Sequence, residues 1–300
     1  MTRPVTRLLA VIAMACLLLP QAASALTVTD QTGRRVVLPA LPARIVSLVP
    51  SVTETVFTIG AQDRLVGVTD FCDYPPAARQ KPRIGGMISP SLEGIVALKP
   101  DLVVATTAGN RHETFDQLAQ LKIPVYLVNP VAVRDVLDLI VRLGRLTGRP
   151  EAADRAAAAL HERIQAVSAR VAGRPRPRVL YVLWPDPLIV PARGALVSEL
   201  IALAGGDSVT ADGGQGYPRY SMEAALARNP EVILIASHAT RSPLERSRWE
   251  RFTQVPAVSA GRLHTVDGNL MHRYGPRIVD GLEVLARLLH PGAFEKAAAP

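Results

Sequence analysis

Aromatic side chains are scarce in this 300-residue chain, 4% of the total, although hydrophobic residues reach 48%. Its cores must therefore be filled by aliphatic groups, and a Trp or Tyr in a loop is not needed for bulk. Cysteine is scarcer still: Cys16 lies in the leader described below, and Cys72 stands alone beyond it. A single thiol excludes an internal disulfide and a thiolate zinc site in the mature chain. The six histidines, His112, His161, His238, His264, His272 and His290, are dispersed with no paired spacing, so a bare metal ion finds no evident ligand set. Nucleophilic chemistry lacks its frame too. Ser51 has no flanking glycines and Cys72 has no histidine near it in sequence, whereas a hydrolase needs a strained elbow and a base. The formal charge of +8 falls to +6 once Arg3 and Arg7 of the leader are set aside. That surplus is scattered outside Arg174-Pro175-Arg176-Pro177-Arg178, with no basic helix face and no aromatic platform of the kind nucleic acid requires.

Long apolar runs are also missing beyond the first 25 residues. There, Arg3 and Arg7 precede an apolar run from Leu8 to Leu19 that ends in Ala23-Ser24-Ala25. This is the layout of a signal peptide cleaved after Ala25, and the run is short for a membrane span. The mature chain is expected to be exported to the periplasm. Cys16 offers a lipoprotein alternative, but attachment there would leave Leu17-Leu18-Leu19 at the mature start, which favours cleavage after Ala25.

What the chain does contain is an echo of itself. Ser91-Leu92-Glu93 begins a stretch running through Leu98-Lys99-Pro100-Asp101 into Leu102-Val103-Val104-Ala105. At a spacing of 130, Ser221-Met222-Glu223 runs through Leu226-Ala227-Arg228-Asn229-Pro230-Glu231 into Val232-Ile233-Leu234-Ile235. Each copy reads as a capping serine, a short helix, a proline that stops it, an acid, and a buried parallel strand. Upstream, Arg44 to Val49 matches Arg178 to Leu183, each a strand entered from an arginine, and a helix carrying an early glutamate, Glu54 or Glu199, follows in both halves. Two repeats so far apart suit two domains better than a solenoid.

Strands alternating with helices predict an α/β fold with parallel-rich sheets flanked by helices. The expected organisation is a signal peptide over 1–25, an N-terminal lobe over 26–134, a helical linker over 135–173 and a C-terminal lobe over 174–300. In the linker, Glu151 to Val171 is Ala-rich with Leu160, Ile164 and Val167 on one stripe, a single long α-helix of roughly 30 Å joining the lobes. Loops at the carboxyl ends of the strands line the crevice of such a fold. Those loops are Pro50-Ser51, Phe71 to Pro76, Thr106 to Arg111, Trp184 to Pro187, Gly213 to Tyr220, Ser237-His238 and Asn269 to Arg273.

The runs Asp73-Tyr74-Pro75-Pro76, Leu92 to Val103 and Pro276-Arg277-Ile278-Val279 resemble the periplasmic cobalamin-binding proteins. These belong to the helical-backbone substrate-binding proteins of ABC importers for ferric siderophores, haem and cobalamin. The resemblance covers about residues 43 to 290. It implies a class III periplasmic binding protein that captures its ligand between two lobes, has no catalytic step and no resident cofactor, and is monomeric when free. The implied partner is a permease dimer in the inner membrane. Glu93 and Glu223 match the family's pair of docking glutamates, which meet arginines on the two permease subunits. Tyr74 falls where the cobalamin binders place a stacking aromatic, and Tyr217 matches a second. The chain departs from the pattern around Met87 and Thr106, where those proteins carry tryptophan and this one has no aromatic. Trp184, His238, Arg111, Arg219 and Arg273 complete the expected ligand-binding set, the guanidinium groups suiting carboxylates or phosphates. A corrinoid leads as ligand. A ferric siderophore or haem is the alternative, with a bare-metal receptor or a hydrolase below them. Two preformed walls predict a small closing motion.

Overall fold

The computed structural model describes residues 25–237 and 244–295, so the leader and His238 lie outside the described residues. A small antiparallel hairpin, β1 (Leu26–Thr29) with β2 (Arg35–Leu38), opens the chain. The first main sheet contains β3 (Ile45–Ser47), β4 (Leu65–Val68), β5 (Leu102–Thr106) and β6 (Val125–Val128), in the spatial order β4-β3-β5-β6. A second comprises β7 (Arg178–Val182), β10 (Asp207–Ser208), β11 (Val232–Ser237) and β12 (Leu263–Asp267), in the order β10-β7-β11-β12. Every neighbouring pair in both sheets is parallel. Leaving aside the two-residue strands β8 (Trp184–Pro185) and β9 (Leu188–Ile189), which pair only with each other, the two sheets share one topology. The second strand lies outside the first, and the third and fourth follow on its other side.

The repeat in the sequence has a physical cause at each position. Ser91 Oγ accepts the Gly94 N–H at 3.0 Å, and Ser221 Oγ accepts the Ala224 N–H at 3.2 Å, each capping a six-residue helix, Leu92–Ala97 or Met222–Ala227. Lys99 and Asn229, the residues before the prolines, take φ of 45° and 50°. This left-handed step turns the chain from helix into strand. Arg44 Nε then donates to the Lys99 carbonyl at 3.1 Å and Arg178 Nε to the Asn229 carbonyl at 2.9 Å. In return Asp101 accepts the backbone N–H of Arg44, and Glu231 that of Arg178. The entering arginine and the acid after the proline are thus two ends of one clasp, made once in each half.

Between the sheets run the helices Val133–Leu146 and Pro150–Val171. They pack so closely that a Cβ on Gly144 would lie 2.1 Å from that of Ala153, a crossing only glycine allows. The longer helix spans 22 residues, roughly 33 Å. Its buried stripe of Leu160, Ile164, Val167 and Val171 belongs to a core cluster that also includes Val52 and Leu102 from the first half and Leu200 and Leu282 from the second. Arg163 fastens it to the helix Ile278–Leu289 through Asp280 and Glu283 at 2.6 and 2.9 Å. A continuous core resists relative rotation of the halves, because turning one would expose apolar surface from both.

Two local expectations are corrected. Pro50 and Ser51 form the first turn of a helix, Pro50–Thr58, because proline at the first position needs no N–H partner. Residues Gly268–His272 are helical, since Asp267 accepts the Asn269 N–H at 2.9 Å and caps them.

Candidate functional site

A cavity of about 370 Å3 opens at the carboxyl ends of the strands, between the two halves. From the first half come Val49, Pro50 and Ser51 after β3, Phe71 and Met87 after β4, Thr106 at the end of β5 with Ala108 beyond it, and Pro130 after β6. From the second come Asn269, His272, Arg273 and Tyr274, all following β12. Gly275 brings the halves together: a Cβ there would meet the Ser51 Cα at 3.1 Å.

Asn110 holds the first wall in shape. Its buried carboxamide accepts the Thr106 N–H at 2.8 Å and donates to the carbonyls of Met87 at 2.8 Å and Leu48 at 3.2 Å. One side chain thereby fixes three loops that lie far apart in sequence. Behind the opposite wall, Tyr181 and His272 share a 2.8 Å hydrogen bond, and the Tyr217 and Tyr274 hydroxyls lie 2.5 Å apart. Burial pushes the Tyr274 phenol upward despite the bond from Tyr217, and burial raises Tyr217 and Tyr181 further. These phenols stay protonated, so the wall offers neutral hydroxyls.

The strongest electrostatic feature is an ion-pair cluster that crosses between the halves. Glu54, 2% exposed on the helix Pro50–Thr58, receives Arg277 through two bonds, Nε to Oε2 at 2.9 Å and Nη2 to Oε1 at 2.7 Å. Arg273 reaches the same carboxylate at 3.3 Å and also binds Asp73. Burial opposes the positive charge on both arginines, and the carboxylates outweigh it. The hydrogen bond from Arg273 holds the Asp73 carboxyl below its ordinary value. A buried acid with bidentate and bridging partners is well compensated.

Of the residues expected at the site, Met87, Thr106 and Arg273 line the cavity. Tyr74 does not; its ring, 43% exposed, lies under the Arg277 guanidinium at 3.9 Å from the centroid. A cation already occupies a face that was expected to stack on ligand. Tyr217 stands behind the wall, bonded to Tyr274 and edge-on to the His272 ring at 6.1 Å, both of which line the cavity. Arg111 is exposed at the start of the helix His112–Gln120, Arg219 is exposed and bridges to Ile189, and Trp184 donates its indole N–H to the Asp186 carbonyl at 2.9 Å. None of these three lines the cavity. His238 falls outside the described residues.

Several site residues were not singled out from sequence. Phe71 is 56% exposed and lines the cavity, supplying an aromatic surface beside Met87. The sequence puts it at the start of a crevice loop, but which side chain of that loop faces the cavity is decided by the fold. Glu54 carried a weak signal. Residues four positions to either side of it, Pro50 and Thr58, are uncharged, so a buried acid there must find its cation elsewhere in the fold. Cys72 is buried beside Thr53 and Thr69 at 3.1 and 3.2 Å, and burial raises its thiol. Among the described residues no three His, Cys, Asp or Glu side chains come together to hold a metal ion, and no helix is long and apolar enough to cross a membrane.

Two parallel α/β sheets, a long helix between them and a cavity where their strand ends meet define a two-lobed solute receptor. The chain belongs to the periplasmic binding protein family, whose sequence profile matches residues 45–270. Among its relatives, the vitamin B12-binding protein of Vibrio cholerae serotype O1 is 31% identical over 246 residues, 82% of this chain and 88% of that protein. The vitamin B12-binding protein of Salmonella typhimurium is likewise 31% identical, over 82% of this chain and 90% of its own. The solved periplasmic vitamin B12 binding protein of Vibrio cholerae superimposes with a TM-score of 0.75 at 30% identity, covering 85% of this chain and 99% of that one. A periplasmic haem-binding protein from Roseiflexus sp. RS-1 gives 0.74 at 28% identity, covering 83% and 98%. The fold is that of a class III periplasmic binding protein. This chain is therefore a periplasmic substrate-binding protein of an ABC importer, with a small-molecule ligand, a membrane permease as partner, and no enzymatic step.

Proposed function

We propose that the solute is cobalamin or a related corrinoid, captured between the two halves and delivered to the permease. The observation that carries this reading is the likeness to vitamin B12-binding proteins across 82% of the chain. The cavity is compatible with it. Phe71, Met87, Val49 and Pro130 offer apolar surface, while Ser51, Thr106 and Asn269 offer neutral hydrogen-bonding groups, a mixture that suits a ligand with an apolar ring and a rim of amides. Haem is the second reading, favoured by the Roseiflexus structure. Thermal unfolding of residues 26–300 with cyanocobalamin and with haemin distinguishes the two. Cyanocobalamin at 100 times its dissociation constant is expected to stabilise the protein by about 2.7 kcal/mol. A shift with haemin and none with cyanocobalamin would transfer the assignment to haem.

We further propose Glu93 and Glu223 as the permease contacts. Both are exposed in the first turn of the paired helices, and the Ser221 hydroxyl donates to the Glu223 carboxylate at 2.7 Å, holding it ionised. One exposed anion on each half sets the register of docking. A Glu93→Lys, Glu223→Lys variant is expected to bind cyanocobalamin as before yet lose about tenfold or more of permease-dependent uptake, since like charges then face the permease. Undiminished uptake would remove these residues from the interface.

A further inference from the structure

Among the described residues, one permanently charged side chain lines the cavity, Arg273, and its charge is already matched. It meets Glu54 and Asp73, while Arg277 meets Glu54. Two carboxylates therefore face two guanidiniums, and the cluster carries no net charge. Farther out, Arg79 donates to the Asp73 carbonyl at 3.2 Å, Arg83 donates to the Cys72 carbonyl at 3.1 Å, and Asp267 acts on Arg277. The rest of the polar lining is the hydroxyls of Ser51, Thr106 and Tyr274, the carboxamide of Asn269 and the imidazole of His272, which shares a hydrogen bond with Tyr181.

We infer that this balanced cluster is a charge filter, admitting a ligand whose buried edge is neutral and rich in amides and rejecting one that would place a carboxylate against it. The inference rests on the corrinoid reading, and it makes Asp73, which does not line the cavity, a specificity-determining residue. A carboxylate entering beside Arg273 would leave water without gaining a free cation, because the Arg273 guanidinium is already bonded to Glu54 and Asp73, whose two negative charges oppose a third. A neutral amide exchanges water for wall hydrogen bonds and meets no such opposition.

The test compares cyanocobalamin with its monocarboxylates, in which one peripheral propionamide is hydrolysed, each isomer being measured separately. The quantity read is the ratio of dissociation constants, monocarboxylate over amide, for the most discriminated isomer. In the wild-type protein that ratio is expected to be about tenfold or more, the cost of moving one carboxylate out of water with no free cation to receive it. Asp73→Asn leaves the cluster one positive charge in excess and should bring the ratio to about one or below. Arg273→Gln leaves one negative charge in excess and should raise the ratio by about another tenfold. Asp73 is half-exposed and Arg277 still pairs with Glu54 in both variants, so both retain the inter-half contact. General loosening of the site would weaken both ligands together and could not move the ratio in opposite directions. A wild-type ratio near one, or shifts of the same sign in the two variants, overturns the filter and leaves the corrinoid reading standing. A wild-type protein that binds haemin and neither corrinoid overturns both.

Discussion

Glu54→Gln is expected to destabilise the ligand-free protein by about 3–5 kcal/mol, the usual cost of leaving a buried charge without its partner. For a chain of this size that is roughly 6–10 °C in the unfolding midpoint. The carboxylate is 2% exposed and is shared by Arg277 and Arg273, whose side chains are themselves mostly covered. The neutral amide leaves two guanidiniums facing one another with a single remaining acid, Asp73. Replacing Glu54 and Arg277 together by Met should recover most of the loss, since the charged pair is then removed and Arg273 keeps Asp73. A single-variant loss below about 1 kcal/mol, the level of an exposed ion pair, would show that the cluster is hydrated and does not join the halves. Asp73 adds a pH dependence of known sign. Its folded-state pKa is lowered by Arg273, so its stabilising contribution is present above the ordinary carboxylate range near 4. That contribution is lost as pH falls through the lower folded-state value. The Asp73→Asn variant should show a shallower acid limb.

Phe71→Ala is expected to weaken cyanocobalamin binding by about 2 kcal/mol, roughly thirtyfold, from covering some 80 Å2 of ring at 25 cal/mol per Å2. Because 56% of Phe71 is exposed in the ligand-free structure, the substitution should leave the unfolding midpoint nearly unchanged, within about 0.5 kcal/mol. Tyr74→Ala is the informative comparison. Its ring already packs on Arg277 at 3.9 Å and does not line the cavity, so its effect on affinity should be several times smaller. If Tyr74→Ala proved the more damaging, Arg277 would have to leave the ring when ligand arrives, and the walls would not be preformed. Isothermal titration of the two variants decides the order.

The difference between these two aromatics shows where reading from sequence stops. Both lie in one loop after β4, three residues apart, and local pattern cannot distinguish them. What separates them is a cation some 200 positions away, Arg277, brought over Tyr74 by the packing of the last helix. The same holds for Glu54 and Asp73, which look like an ordinary helix acid and a turn acid until Arg273 and Arg277 arrive. The loops of Arg111, Arg219 and Trp184 follow strands, which predicts a place in the cleft, yet a loop several residues long can turn its side chains away from the strand ends. Met87 and Thr106 do line the cavity, and Asn110 holds both backbones there, donating to the Met87 carbonyl and accepting the Thr106 N–H.

Sequence alone determined the architecture. The paired Ser-x-Glu helices, the prolines that end them, the β-branched strands and the Ala-rich helix between the copies are local signals. Each is decided by capping, by proline's missing N–H or by side-chain period, and each holds wherever the segment finds itself. Only the tertiary structure decided which side chains face the cavity and how its charge is balanced. Those outcomes depend on contacts between residues 200 or more positions apart, whose energies arise from burial and exist only once both halves have packed on a common core.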